Sequence, residues 1–162
     1  MNEVAIQAQI HKKALSETVE DRRDAVSLLA ANFSHFPDRT QAWQDMDRLT
    51  QDEDRYVRLG AAGVMGAAFG KMPDKFNAWR DLHRLTQDKD GNIRFIMAEA
   101  LGEFFRELPD KSLALEDLRG LIQDENRDVR WVAAESFAAV FEELPDKSKA
   151  WMEMPSSDQA SF

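Results

Sequence analysis

The chain has 162 residues, of which 43% are apolar, and its 30 acidic side chains outnumber 21 basic ones to leave a net charge of −9. It contains no cysteine, which excludes disulfides, thiolate metal sites and a cysteine nucleophile, and which suits a reducing compartment. No apolar run approaches a membrane span, and the acidic balance argues against binding nucleic-acid phosphates, which requires clustered positive charge.

The N-terminal stretch MNEVAIQAQIHKKALSE lacks the basic start, unbroken apolar core and small-residue cleavage site of a signal peptide. It is expected to be part of the structure, and the protein is expected to be cytoplasmic. Beyond it, Pro37-Asp38, Pro73-Asp74, Pro109-Asp110 and Pro145-Asp146 recur at steps of 36 residues. A fixed period of this size marks a stack of units, each burying its apolar face against its neighbours. The units are 37–72, 73–108 and 109–144, with 1–36 as a divergent first unit and 145–154 as a partial last one. Phe33, Phe69, Phe105 and Phe141 fall at equal phase, as do Arg22, Arg58, Arg94 and Arg130, which ties the first unit to the series. The expected organisation is one domain over 1–154 and a flexible tail at 155–162.

Within each full unit, apolar residues three or four apart (Trp43, Met46, Leu49; Trp79, Leu82, Leu85; Leu115, Leu118, Leu121) predict first helices over 39–50, 75–86 and 111–122. Proline with aspartate just before them is a helix-start signal, because a missing N–H costs nothing there and a carboxylate favours the positive helix end. Polar turns then lead into second helices over 55–71, 91–107 and 127–143, whose small residues Ala61, Ala62, Ala98, Ala100, Ala133 and Ala134 permit close approach. The fold class predicted is all-α, a right-handed α-solenoid of helix hairpins. A four-helix bundle or coiled coil would need sustained heptads, which the recurring proline interrupts.

The turns repeat a chemical pattern. Asp52, Asp88 and Asp124 each stand six residues before Arg58, Arg94 and Arg130, with Val57, Ile93 and Val129 preceding the arginines. An aspartate placed there either caps the second helix or accepts from the arginine of a neighbouring unit, giving a ladder of charge-assisted hydrogen bonds. In the first unit Ser16 replaces the aspartate. This pattern of aspartate, polar turn, Val-Arg and Ala-rich helix resembles the HEAT-like repeats of the short type first noted in phycobilisome lyases, over about 37–144. Tetratricopeptide repeats have a similar length, but their Trp-Leu-Gly-Tyr framework is missing. The resemblance implies a superhelix whose second helices line the concave face, and lyase activity on a chromophore protein is the enzymatic option it carries.

Residues shared by every unit serve folding and stacking, so a functional surface is expected where equal phases differ. Leu59, Phe95 and Trp131 are predicted to project from successive second helices, with Gly63, Glu99 and Glu135 a turn further and Tyr56, Asn92 and Asp128 a turn before. This apolar row beside acids is the candidate protein-binding face, at Tyr56, Leu59, Phe95, Glu99, Trp131 and Glu135, for a peptide or protein carrying apolar and basic side chains. Unit 109–144 carries a charge of −5, through Glu116, Asp117, Glu135, Glu142 and Glu143 among others, against −1 in each other segment. The bland alternatives are that the aromatics cover alanine-rich backbone and that the acids are a solvated face.

Chemistry has little support. His11 and His83 share a phase two units apart, too distant to hold one metal, and His35 is the only other histidine. No metal, cofactor or catalytic residue is assigned, and Gly60, Gly63, Gly66 and Gly70 recur at helical spacing better suited to close packing than to phosphate. HEAT-type iron hydroxylases carry His-Glu pairs that are lacking here, and HEAT-like DNA glycosylases use a cationic groove where this chain is acidic. At the C-terminal end, Trp151, Met152 and Met154 precede Pro155 and either cap the last unit or mediate a weak homodimer. The expectation is a non-catalytic protein-interaction scaffold, with a lyase or chaperone-like subunit and a structural assembly unit as alternatives.

Overall fold

The fold is that of a computed structural model, which describes residues 2–142 and 144. Among these residues the chain forms α1 (Glu3–Ala14), α2 (Val19–Asn32), α3 (Arg39–Leu49), α4 (Arg55–Ala68), α5 (Lys75–Leu85), α6 (Gly91–Phe104), α7 (Lys111–Ile122) and α8 (Arg127–Glu142), with no strand. The helices pair as hairpins, one per 36-residue unit, and the hairpins stack in chain order as an α-solenoid. The expected partial unit at 145–154, the tail at 155–162 and Glu143 lie outside the described residues.

The second helices end earlier than their apolar pattern suggests. Phe33–His35, Phe69–Lys71 and Phe105–Glu107 are 3₁₀ turns, and the residues after them, Phe36, Met72 and Leu108, are extended. Each of those three precedes a proline, whose ring excludes the helical conformation from the residue before it, so the last turn tightens and stops. Asp38, Asp74 and Asp110 then accept hydrogen bonds from Gln41 N, Asn77 N and Leu113 N at 2.9, 3.1 and 2.9 Å, capping α3, α5 and α7. The proline therefore sits outside the helix as its stop, and the aspartate is the start.

Apolar burial runs along the hairpins without a break. Val57, Ala61, Ala62, Met65 and Phe69 are fully buried in the second unit, and Ile93, Ala98, Val129 and Ala133 repeat this in the next two. Successive second helices pack directly on one another, α2 on α4, α4 on α6 and α6 on α8, while α3, α5 and α7 approach each other less closely. That difference curves the stack towards its second helices. One close approach of α6 and α8 is at Gly102, where an added Cβ would lie 2.8 Å from Ser136 Cβ and 3.2 Å from its Cα. A side chain at that position would force α6 and α8 apart.

Polar links bridge the layers at the turns. Arg94 donates to Asp124 through Nε at 2.6 Å and Nη2 at 2.8 Å, while its Nη1 donates to the Asp88 carbonyl at 2.7 Å. Arg22 does the same with Asp52, at 2.5 and 3.0 Å, and its Nη1 reaches the carbonyls of Ser16 and Glu17. Each arginine thus holds its own turn by backbone and reaches forward to the next unit by carboxylate. The serine at position 16 consequently costs Arg22 no bond, because that arginine uses only its carbonyl, while the Ser16 Oγ donates to Asp21 at 2.9 Å. The turn aspartates do not cap the second helices either. Asp52, Asp88 and Asp124 accept from the backbone N–H two residues on at 2.8 Å, and Asp54, Asp90 and Asn126 are the caps.

The middle rung differs. Arg58 holds the Asp52 and Glu53 carbonyls at 2.7 and 2.9 Å, yet it reaches no carboxylate among the described residues, and its buried Nε has no hydrogen-bond partner. Glu53 and Glu125 sit 3.4 Å from Arg22 and Arg94 as second acceptors, whereas the equal phase in the unit after Arg58 holds Lys89. Arg55 bridges these two units instead, donating to Asp90 at 2.6 and 3.3 Å. At the end of the series, Arg130 keeps its carbonyl bonds to Asp124 and Glu125 and is exposed.

Replacing Lys89 by glutamate puts at that phase the second acceptor that Arg22 and Arg94 have. Lys89→Glu is expected to raise stability by about 1 kcal/mol, the typical net value of one hydrogen bond, which corresponds to roughly 2–4 °C in thermal melting for a chain of this size. The gain should vanish in an Arg58→Ala background, and a gain that persists there would place its origin elsewhere.

Candidate functional site

The outward row of the second helices is built by phase. Positions 36 residues apart project alike because each hairpin repeats the same backbone, so Arg23, Leu59, Phe95 and Trp131 form one line across α2, α4, α6 and α8. The structure does not expose them equally. Trp131 is 59% exposed, while Leu59 and Phe95 are half-buried and packed on the core. Tyr56 is 65% exposed one turn before the row, and the Arg23 guanidinium lies 5.6 Å from its ring centre. The same arginine binds Asp54 at 2.8 Å, so Tyr56 has a fixed cation beside it.

A turn further along, Glu99 and Glu135 are exposed at equal phase, and Glu103 is exposed next to them on α6. None of the three forms an ion pair among the described residues. The remaining acids expected in the third full unit are not alike. Asp117 is only 8% exposed and faces His83 Nδ1 at 2.7 Å, which makes it a structural group and not surface charge. At the other end of the row, Ala30, Phe33, Gly60, Gly63, Val64 and Ala67 line an open groove between α2 and α4 of about 330 Å³.

Sequence periodicity passed over Phe76. It is 69% exposed on α5, and the available signal was its phase, where Thr40 and Ser112 are polar in the neighbouring units. It belongs to the first-helix side, away from the row. Trp151, Met152 and Met154, expected at the C-terminal end, lie outside the described residues.

The first-helix side carries carboxylates in a second inter-unit series. His11 Nδ1 meets Asp45 Oδ1 at 2.7 Å, as His83 meets Asp117, so the two histidines expected to be too distant for a shared metal each face a carboxylate instead. Between these pairs the equal phases hold Asp47 and Asp81. Trp43 Nε1 donates to Asp81 at 2.8 Å and Arg84 donates to Asp47 at 2.6 Å. Burial pushes the Asp81 carboxyl above its ordinary value of 3.8, Asp47 adds to this, and Trp43 opposes it. Among the described residues no group of three His, Cys, Asp or Glu side chains is placed to hold a metal, and no helix is long and apolar enough to cross a membrane.

A raised carboxyl contributes stability below its unfolded value and loses it as pH rises through the folded value. Asp81→Asn keeps an acceptor for Trp43 and removes that ionisation. The variant's stability advantage over the parent chain is therefore expected to grow as pH is taken from below 3.8 to neutrality, measured by urea unfolding at each pH. A difference that is flat with pH would show that Asp81 ionises in the folded chain as easily as in the unfolded one.

A model of HEAT repeats matches residues 46–138, a stretch that contains α4, α6, most of α8 and the turns before them. Comparison with curated proteins finds no match. Hairpins of about 36 residues, stacked through their second helices and tied at the turns by forward-reaching arginines, agree with that match, which covers more than half of the sequence, and the chain belongs to the HEAT-repeat family.

Proposed function

We propose that this chain is a non-catalytic interaction module that holds a protein or peptide segment against its second-helix face. Trp131 and Tyr56 supply the exposed contacts, Glu99 and Glu135 supply charge for a basic partner, and Leu59 and Phe95 form the floor between them. The observation that carries this is Trp131, left 59% exposed at a phase where the two preceding units tuck Leu59 and Phe95 onto the core. Burying a large aromatic stabilises a folded chain by roughly 1.5–3 kcal/mol, and at protein interfaces the same gain is concentrated in tryptophan and tyrosine anchors. The curvature adds to it, because a concave face surrounds an extended partner on more than one side. HEAT repeats are commonly interaction scaffolds, which supports this reading. A cytoplasmic location is part of this proposal, and the cysteine-free composition suits such a reducing compartment.

The two faces are separable by cross-linking. A photoreactive benzoylphenylalanine introduced at position 131 or 135 is expected to trap the same partner in a native lysate, while one at position 76, on the first-helix side, traps none. Tyr56→Ala/Trp131→Ala should abolish the 135 product with helicity unchanged, since both side chains are exposed. Trapping from position 76 alone would move the binding face to the first helices.

A further inference from the structure

Four glycines lie on α4 and the turn that follows it, and three have a packing reason. An added Cβ would meet Val26 at 2.8 Å from Gly60, Ile96 at 3.3 Å from Gly66, and Phe104 at 2.8 Å from Gly70. Gly63 is different. The nearest atom to its Cβ position is Ile96 Cδ1 at 4.0 Å, so a Cβ there would make no more than an ordinary van der Waals contact. Glycine inside a helix is less favourable than alanine, and at this position no neighbour requires it. What its bareness leaves is the floor of the groove of about 330 Å³ between α2 and α4.

Gly63 shares its phase with Glu99 and Glu135. Across α4, α6 and α8 the same outward line thus presents an apolar cavity, a carboxylate and a second carboxylate, both acids being exposed and without an ion pair among the described residues. Packed helices lie about 8–10 Å apart, and an extended chain advances about 3.1–3.3 Å per residue, so one layer corresponds to three residues of ligand. In a polyproline II strand every third side chain also points the same way. Lys71 stands at the rim of the cavity, held by Ser34 Oγ at 2.7 Å, and its charge keeps a cationic side chain out of that end.

We infer that this line binds an extended peptide whose apolar side chain fills the cavity over Gly63 and whose arginine or lysine side chains, three and six residues along, face Glu99 and Glu135. The inference rests on the second-helix face being the binding surface, and it adds the partner's chemistry and spacing. Lys71 and the two glutamates together set the order, apolar end at α4 and basic end at α8.

Fluorescein-labelled peptides test this by anisotropy. The probes are Leu-Pro-Ser-Arg-Pro-Ser-Arg, its reversed sequence, and a shuffled peptide of the same composition with the two arginines adjacent. One of the two spaced orders is expected to bind about tenfold more tightly than the shuffled peptide, and more weakly as salt rises. Gly63→Leu, which fills the groove from its floor, is expected to lower that affinity about tenfold with the melting temperature kept or raised, and Glu99→Gln/Glu135→Gln to lower it by a similar factor. Equal binding of spaced and shuffled peptides, or a folded Gly63→Leu chain with unchanged affinity, overturns the inference. If no peptide binds while cross-linking from positions 131 and 135 persists, the spacing rule falls and the face stands. Loss of both overturns the face as well.

Discussion

Close approach of successive second helices is the constraint on which the other features depend. Ala61, Ala62, Ala98 and Ala133 are fully buried along the contact, and at Gly102 the backbone of α8 comes within 3.2 Å of where a Cβ would be. Such contacts are possible only between small residues, and they set the layer spacing for everything placed on the hairpins. The first helices, which carry Trp43, Trp79 and larger apolar residues inwards, stand further from one another. The curvature follows from that inequality, and with it the separation of a concave second-helix face from an outer first-helix face.

Once the spacing is set, the layers are keyed by side chains that reach across it. Arg22 meets Asp52 and Arg94 meets Asp124, and the Asp124 carboxyl is held below its ordinary value chiefly by the bond from Arg94. On the other side, Gln7 exchanges two hydrogen bonds with the backbone of Asp38, Trp43 binds Asp81, and His83 faces Asp117. Buried ion pairs of this kind contribute less net stability than their Coulomb attraction suggests, because both charges lose water. Their effect here is on register. A hairpin displaced by one turn would lose all of these partners together while its apolar contacts changed little.

The surface offered by the stack is uneven, and the proposed recognition chemistry rests on that unevenness. Equal phases that hold Leu59 and Phe95 against the core hold Trp131 in solvent, and those that hold Glu99 and Glu135 hold a bare glycine at position 63. The groove over Gly63 and the exposed tryptophan lie two layers apart on the same face, a separation that suits an extended partner and exceeds the reach of a small ligand.

The helices and their pairing were legible in the sequence because their causes are local. Proline stops one helix by sterics at the preceding residue, aspartate starts the next through its carboxylate, and apolar spacing fixes the buried side. The early stop of the second helices in 3₁₀ turns was implicit in the same prolines. Three things were decided only by tertiary structure. The first is the direction of the arginine contacts, since Arg22 and Arg94 reach forward by 30 residues to a carboxylate whose place depends on how one hairpin lies on the next. The second is the open middle rung, where Arg58 reaches no carboxylate among the described residues although Asp88 stands at the phase of Asp52 and Asp124. The third is exposure along the candidate row, where residues of one phase and similar character end up half-buried or free according to the neighbours that the stacking supplies. Periodicity states which way a side chain leaves its own helix, and only packing determines what it meets there.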